Sequence, residues 1–249
     1  MEGSHSGLVR QFRKLLKGFS LPRVRISPPP PDFFIVFMKN LTDEEKLTLE
    51  YYEQNADSWH KPTTNLTFQD DEIKFFKKYL SKGSILEIGC GTGYDAERLV
   101  VEGYDYTGTD ITKSFIRMCQ KSLPNSKFLP LSVYELNFPL GTKFDGFWAS
   151  AVLLHVPKTK IDLALSQINK YIKVNGIGFI SLKEGEGEQV QVVEKSRVTD
   201  QNKTFSRFFS FYTKEEFTKI LTRNGFKVID FSSSETNNNN WLWFIVQKV

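Results

Sequence analysis

The sequence is poor in the residues that announce covalent or metal-based chemistry. It has two cysteines, Cys90 and Cys119, and three histidines, His5, His60 and His155, in 249 residues. Two such distant thiols make neither a disulfide framework nor a zinc-ligand cluster, so no metal is expected and a reducing, cytoplasmic setting is the default. Long apolar runs are missing too. None approaches the ~20 residues needed to cross a bilayer, so no membrane span is expected. An excess of one charge is absent from most of the chain. The formal net charge is +4, but residues 1–39 hold seven Lys/Arg against two acids, and the remainder holds 26 basic and 27 acidic residues. A nucleic-acid binder would usually carry a basic face. The nearly neutral body supplies none, and no nucleic-acid partner is expected.

Two units are expected, a leader at 1–37 and a domain at 38–249. In the leader, "GLVRQFRKLLKGF" places Leu8, Val9, Phe12, Leu15, Leu16 and Phe19 on one helical face, with Arg10, Arg13, Lys14 and Lys17 elsewhere. A proline run, "SPPPPD", follows and favours an extended conformation. One reading is a targeting or interfacial segment with weak membrane-surface contact. The other is an added or translated upstream leader, with the natural start at Met38, where the composition changes abruptly.

Beyond Met38 the pattern becomes regular. Thr42 and Glu45 have capping-box spacing and open a helix. "DDEIKFFKKYL" predicts another, ended by Gly83. Strands are expected at 84–89, 104–109, 127–131, 144–150 and 176–182, and helices at 93–102, 113–122 and 159–173. This alternation predicts an α/β fold with a largely parallel, doubly wound sheet and helices on both faces. Near the end, Thr213 and Glu216 repeat the capping spacing, and the helix should stop at Asn224-Gly225. "FKVIDFSS" and "WLWFIVQKV" then flank a polar "SETNNNN" turn and read as an antiparallel pair completing the sheet.

The most informative stretch is "ILEIGCGTGYDAERL". Gly89, Gly91 and Gly93 make G-x-G-x-G between a strand and a helix. A dinucleotide fingerprint needs its third glycine at position 94, which is Tyr94, and a Walker loop needs a Gly-Lys-Ser/Thr that is absent. Close approach of backbone to a ligand explains the glycines better than a phosphate grip does.

"ILEIGCGTG" resembles the first motif of class I S-adenosylmethionine-dependent methyltransferases. The resemblance covers about residues 40–249 and implies a seven-stranded sheet that binds S-adenosylmethionine and its product S-adenosylhomocysteine. It implies that Glu87 organises the loop and the methionine end of the cofactor, with Gly89, Cys90, Gly91 and Gly93 packed against it. Asp110, 21 positions after Gly89 in "YDYTGTDIT", would accept hydrogen bonds from the ribose diol, with Ile111 beside the adenine. Ser132 stands where this family often has an acid, followed by Val133, and both are expected at the adenine. In "FDGFWASAVLLHVPKTKID", Asp145 opens the fourth strand and Ser150 to Leu153 should lie beneath the sulfonium. Upstream, "YYEQNADSWH" is similar to a segment that folds over the cofactor, bringing Tyr52 and Trp59 to the site. An ordinary helix burying an aromatic stripe explains the same residues.

Displacement at a sulfonium asks for positioning and desolvation more than elaborate acid–base machinery, which suits a chain with so few histidines. A base is needed only for a protonated acceptor. His155 and Glu184 are the catalytic candidates, with Glu186 and Tyr212 as further ones by location. In many relatives a His at this place serves packing or orientation, and that is the favoured reading of His155. The expected acceptor is a small molecule, shaped by "GEGEQVQVVEKSRVTDQNKTFSRFFSFY" after the fifth strand. An RNA or protein methyltransferase is disfavoured by the neutral body, and amino-methylation of the common kind by the absence of an Asn-Pro-Pro-Tyr-like motif. A non-catalytic cofactor-binding protein stays open, since fold does not fix function.

Overall fold

The computed structural model describes residues 40–59, 70–194, 198–236 and 239–249. The leader and His60 lie outside the described residues. Helix α1 (Asp43–Gln54) starts at the expected capping box: the Thr42 hydroxyl accepts the Glu45 N–H, and the Glu45 carboxylate accepts the Thr42 N–H. Such a cap contributes about 1 kcal/mol. A 3-10 turn at Ala56–Trp59 follows. Helix α2 (Asp70–Lys77) leads into β1 (Ser84–Ile88). The alternating region then runs α3 (Tyr94–Val101), β2 (Asp105–Thr109), α4 (Lys113–Ser122), β3 (Lys127–Leu129), β4 (Phe144–Ser150), α5 (Ile161–Tyr171) and β5 (Ile172–Lys183).

Two strands that the sequence reading treated as loop come next, β6 (Glu188–Val192) and β7 (Ser206–Ser210), paired antiparallel as a separate hairpin. Helix α6 (Lys214–Arg223) precedes β8 (Phe226–Thr236) and β9 (Asn239–Lys248). The main sheet has seven strands in the order β3-β2-β1-β4-β5-β9-β8. Its first five are mutually parallel, and β9 is antiparallel to both β5 and β8. Strand order reverses between β1 and β4, and the crevice at that reversal is where open α/β sheets hold ligands.

Alternation along β1 separates the two cores. Leu86 and Ile88 face the core containing α5 and α6, and Ile85 faces the one with α2, α3 and α4. Trp148 of β4 stacks on Phe179 of β5 at 4.0 Å and donates its indole N–H to Asp95. Asp145 accepts from the Ser84 N–H and hydroxyl and pairs with Lys173, where these charge and amide contacts hold its pKa down at about 2. It pins the strand starts, at the opposite end of the sheet from the glycine loop.

Two expectations are corrected here. The fifth strand is longer than 176–182, because β5 continues at both ends against β4 and β9. The polar "SETNNNN" run is mostly strand, with Ser234 opposite Trp241, Glu235 opposite Asn240 and Thr236 opposite Asn239. Backbone pairing extends a hairpin beyond its apolar part without needing apolar side chains, so a composition signal ends too early here.

Candidate functional site

The chain leaves β1 into the glycine loop at the strand reversal. The Cys90 N–H donates to the Thr109 carbonyl, stitching the loop to β2. Asp110, at the end of β2, accepts the Gly91 N–H at 2.9 Å and the Thr112 N–H at 2.7 Å. Burial pushes its pKa up, and the two amide hydrogen bonds oppose that. The glycines differ in role. A Cβ on Gly89 would sit 2.3 Å from a Val152 methyl, so Gly89 is required by packing. Gly91 has φ of +52° and nothing within 4 Å of where its Cβ would be, so its open side faces the cavity that it lines. Gly93 abuts the Cys119 thiol and does not line that cavity.

The cavity is ≈ 1330 Å³. Glu87, Gly89, Cys90, Gly91, Asp110, Ile111, Ser132, Val133 and Ser150 all line it, which brings most of the sequence-predicted set together. Ser132 is partly occupied, its hydroxyl accepting the Tyr134 N–H. The Ser150 hydroxyl lies 3.2 Å from that of Ser181. Ala151 follows with φ of +52°, unusual for a residue with a side chain, and is held there by its N–H to Ser181. The Tyr106 hydroxyl donates to the buried Glu87 carboxylate, whose pKa is raised by burial and then by nearby Asp95. Glu87 therefore braces β1 against β2 as well as facing the cavity.

Helix α1 and the β6–β7 hairpin roof the cavity. Glu53 of α1 accepts the Lys113 and Ser114 N–H groups, capping α4 from above. The Thr48 hydroxyl accepts the Phe208 N–H at 2.8 Å, joining α1 to β7. Tyr52 and Trp59 line the cavity, and the Trp59 indole donates to Tyr51, so this segment is both a cover and a packed aromatic cluster. Beneath it, the Tyr52 hydroxyl donates to His155 Nε2 and accepts from Arg207. His155 Nδ1 lies 2.7 Å from the Phe208 carbonyl. Burial lowers the His155 pKa to about 3, with Arg207 and Lys183 adding like-charge repulsion.

Glu184 is exposed and outside the cavity lining, whereas its neighbour Lys183 lines it. Alternation along the end of β5 explains this, since Ser181 and Lys183 share the face toward the cavity. Glu186 is likewise exposed. Tyr212 is fully buried in the α5–α6 core and does not line the cavity.

Glu72, Asp95, Lys183 and the β8–β9 side chains Ser234, Thr236 and Trp243 line the cavity without a signal in the sequence that placed them there, and Arg207 lines it from the segment expected to shape the acceptor pocket. Burial pushes Glu72 up to about 8, and Asp95 adds to the rise. Glu72 Oε2, Asp95 Oδ1, Ser234 Oγ, Thr236 Oγ1 and Trp243 Nε1 are buried without a hydrogen-bond partner. An acid in the first turn of a helix is the one local signal that marked Glu72 and Asp95, and it also marks ordinary helix starts.

These residues suit S-adenosylmethionine. The Asp110 carboxylate can accept from a vicinal diol, the side-chain-free Gly91 backbone faces open space, and buried polar atoms without hydrogen-bond partners line the same cavity. The sheet order, with the glycine loop at its reversal, is the one that the resemblance to class I S-adenosylmethionine-dependent methyltransferases implies. Residues 85–176 match the model of the methyltransferase domain family. Over 146 residues the chain is 27% identical to a putative methyltransferase, YqeM, of Bacillus subtilis, covering 56% of this chain and 58% of that protein. The chain spans about half the length of the first curated relatives it matches, 58%, 53% and 49%. Among solved structures, the Burkholderia thailandensis 1,6-didemethyltoxoflavin-N1-methyltransferase bound to S-adenosylhomocysteine aligns with TM-score 0.61 at 17% identity, covering 91% of this chain and 93% of that one. The CcbJ methyltransferase of Streptomyces caelestis aligns with TM-score 0.64 at 13% identity, covering 82% of this chain and 99% of that one.

Proposed function

We propose that the protein transfers the methyl group of S-adenosylmethionine to a small-molecule acceptor by in-line displacement, in a reducing, cytoplasmic setting that suits its two buried free thiols. The observation that carries the acceptor class is the roof. Helix α1 and the hairpin are bonded across the cavity through Thr48 and Phe208, and Asn55 Oδ1 accepts the Thr199 N–H at 2.6 Å. A cavity crossed by such a cover admits a small molecule more readily than a folded protein or an RNA helix. The toxoflavin-precursor methyltransferase to which the chain is similar in fold also acts on a small molecule.

Asp110 would hold the ribose hydroxyls, Ile111 and Val133 would flank the adenine with Ser132 at its polar edge, and the Gly91 backbone would lie against the cofactor. The cofactor supplies a methyl group activated on a sulfonium. The chain supplies alignment and the exclusion of water, through the rings of Tyr52 and Trp59 and the paired serines at the ends of β4 and β5. His155 keeps the roof in register through Tyr52 and the Phe208 carbonyl.

The test uses purified protein, methyl-labelled S-adenosylmethionine and a cell extract separated by size. Label entering the low-mass fraction, and lost with Asp110→Ala, is expected. Label confined to protein or RNA would replace the small-molecule assignment.

A further inference from the structure

The cavity has an unequal distribution of charge. The buried acids Glu72, Glu87, Asp95 and Asp110 line it together with the glycine loop, and Glu45 lines it from α1, paired with Lys160. Among the described residues, β5 and the hairpin bring Lys183, Arg207 and the exposed Glu194 to the cavity. The two cations converge on one ring: Lys183 Nζ lies 4.6 Å and the Arg207 guanidinium carbon 5.0 Å from the centre of Phe209. Arg207 also packs against Tyr51 and Trp59, at 5.4 and 5.5 Å. Aromatic contact fixes its plane while leaving donors unused. One N–H group reaches Tyr52 at 3.3 Å, and Nε is buried with no hydrogen-bond partner.

Two cations around one ring repel each other, and a desolvated donor without an acceptor costs free energy. His155, neutral through burial and engaged at both ring nitrogens, offers the Arg207 Nε no acceptor. A negative group on a ligand would satisfy that buried donor and be attracted by both cations. A guanidinium presents donors in a fork that matches the paired oxygens of a carboxylate or phosphoryl group, and the ammonium of Lys183 adds a point charge.

Resting on the methyltransferase reading, we propose that the acceptor is a small organic anion whose carboxylate or phosphoryl group is held between Arg207 and Lys183, with its apolar body against Phe209 and Trp241. Both cations lie where a bound acid gains most, in a roofed cavity of low dielectric. A cationic acceptor meets repulsion from both.

The test splits a small-molecule extract by anion exchange into retained and unretained pools, and incubates each with the full chain and methyl-labelled S-adenosylmethionine. Label is expected in products of the retained, anionic pool. With the labelled acceptor then isolated from that pool, Arg207→Gln and Lys183→Gln should each raise KM about ten- to hundredfold, the loss of one charged hydrogen bond, with kcat changed much less. Arg207→Lys should restore part of the KM. Affinity of Lys183→Gln for S-adenosylhomocysteine, read by calorimetry, should stay within about twofold of wild type. Label arising only from the unretained pool overturns the anion assignment and leaves methyl transfer standing. A large loss of S-adenosylhomocysteine affinity in Lys183→Gln also overturns it, by placing the cations on the cofactor. Label in neither pool removes the methyl-transfer reading, and the anion assignment with it. Because Lys183 sits at the end of a strand, its variant keeps the test decisive even if Arg207→Gln does not fold.

Discussion

The Tyr52 hydroxyl and the His155 ring share a hydrogen bond of 3.0 Å, and the other ring nitrogen lies 2.7 Å from the Phe208 carbonyl. A carbonyl only accepts, so the proton sits on Nδ1 and Nε2 accepts from Tyr52. Both nitrogens are engaged in holding helix α1 to the hairpin. We propose that the ring is a clasp rather than the base that the sequence offered. The rate should show no limb near the ordinary imidazole pKa of about 6.5. Tyr52→Phe should lower turnover by loosening the roof, at a cost of about 1 kcal/mol. A limb near that pH in wild type, abolished by His155→Gln, would restore the base.

The same ring makes a stability prediction. Its folded pKa of about 3 lies below the ordinary value of 6.5, so between those values the unfolded chain binds a proton that the folded one refuses. Stability from this group is therefore full above about pH 6.5 and is lost as pH falls toward 3, at no more than about 1.4 kcal/mol per pH unit. His155→Gln should flatten that part of the curve, read by denaturant titration at several pH values.

Glu72 acts in the opposite direction. Burial raises its folded pKa to about 8 from 4.5, so the folded state keeps a proton that the unfolded state gives up. Its contribution falls as pH rises from 4.5 to about 8 and then levels. Facing it, Asp95 adds to the rise and Arg98 opposes it. Glu72→Gln should stabilise the ligand-free protein at pH 8 by an amount on the order of 1–3 kcal/mol, with little effect at pH 5. Equal effects at both pH values would remove the buried-acid account.

The glycines of the loop separate by experiment. Gly89→Ala drives a methyl into Val152 and should lower the melting temperature. Gly91→Ala meets no neighbour, so the fold should survive with only the cost of its positive φ, roughly 1–2 kcal/mol, while cofactor affinity drops sharply. Binding by Gly91→Ala at wild-type strength would make the loop structural.

Much of the fold was legible because local signals agreed with one another. Both capping pairs, Thr42 with Glu45 and Thr213 with Glu216, cap their helices, and the boundaries of β1, β2 and β4 fall within a residue of the alternation pattern. The roof hairpin was not legible. "EQVQV" and "SRFFS" are short, and their pairing joins residues from Glu188 to Ser210 across a polar connection. Asp110 at the cavity followed from the family resemblance, but Lys183 and Glu72 did not follow from it, and Arg207 was only one of many residues in the segment expected to shape the acceptor pocket. Their positions depend on which face of a strand or helix the tertiary fold turns inward. Glu184 was one residue away from the side chain that reaches the cavity, the error that period-2 alternation punishes most.

Residues 1–37 carry the excess basic charge, and removing them should leave stability and cofactor affinity unchanged. Thermal melts and calorimetry on chains starting at Met38 check this. Loss of folded protein on truncation would show that the leader packs on the domain.

The central claim is that the Asp110 carboxylate and the open side of Gly91 form a S-adenosylmethionine site. Titration calorimetry with S-adenosylhomocysteine on wild type and Asp110→Ala tests it most directly. Saturable one-to-one binding is predicted, weakened by about 1.5–3 kcal/mol, or roughly ten- to hundredfold, in the variant. No binding to the wild-type protein, or equal binding to both, would contradict it.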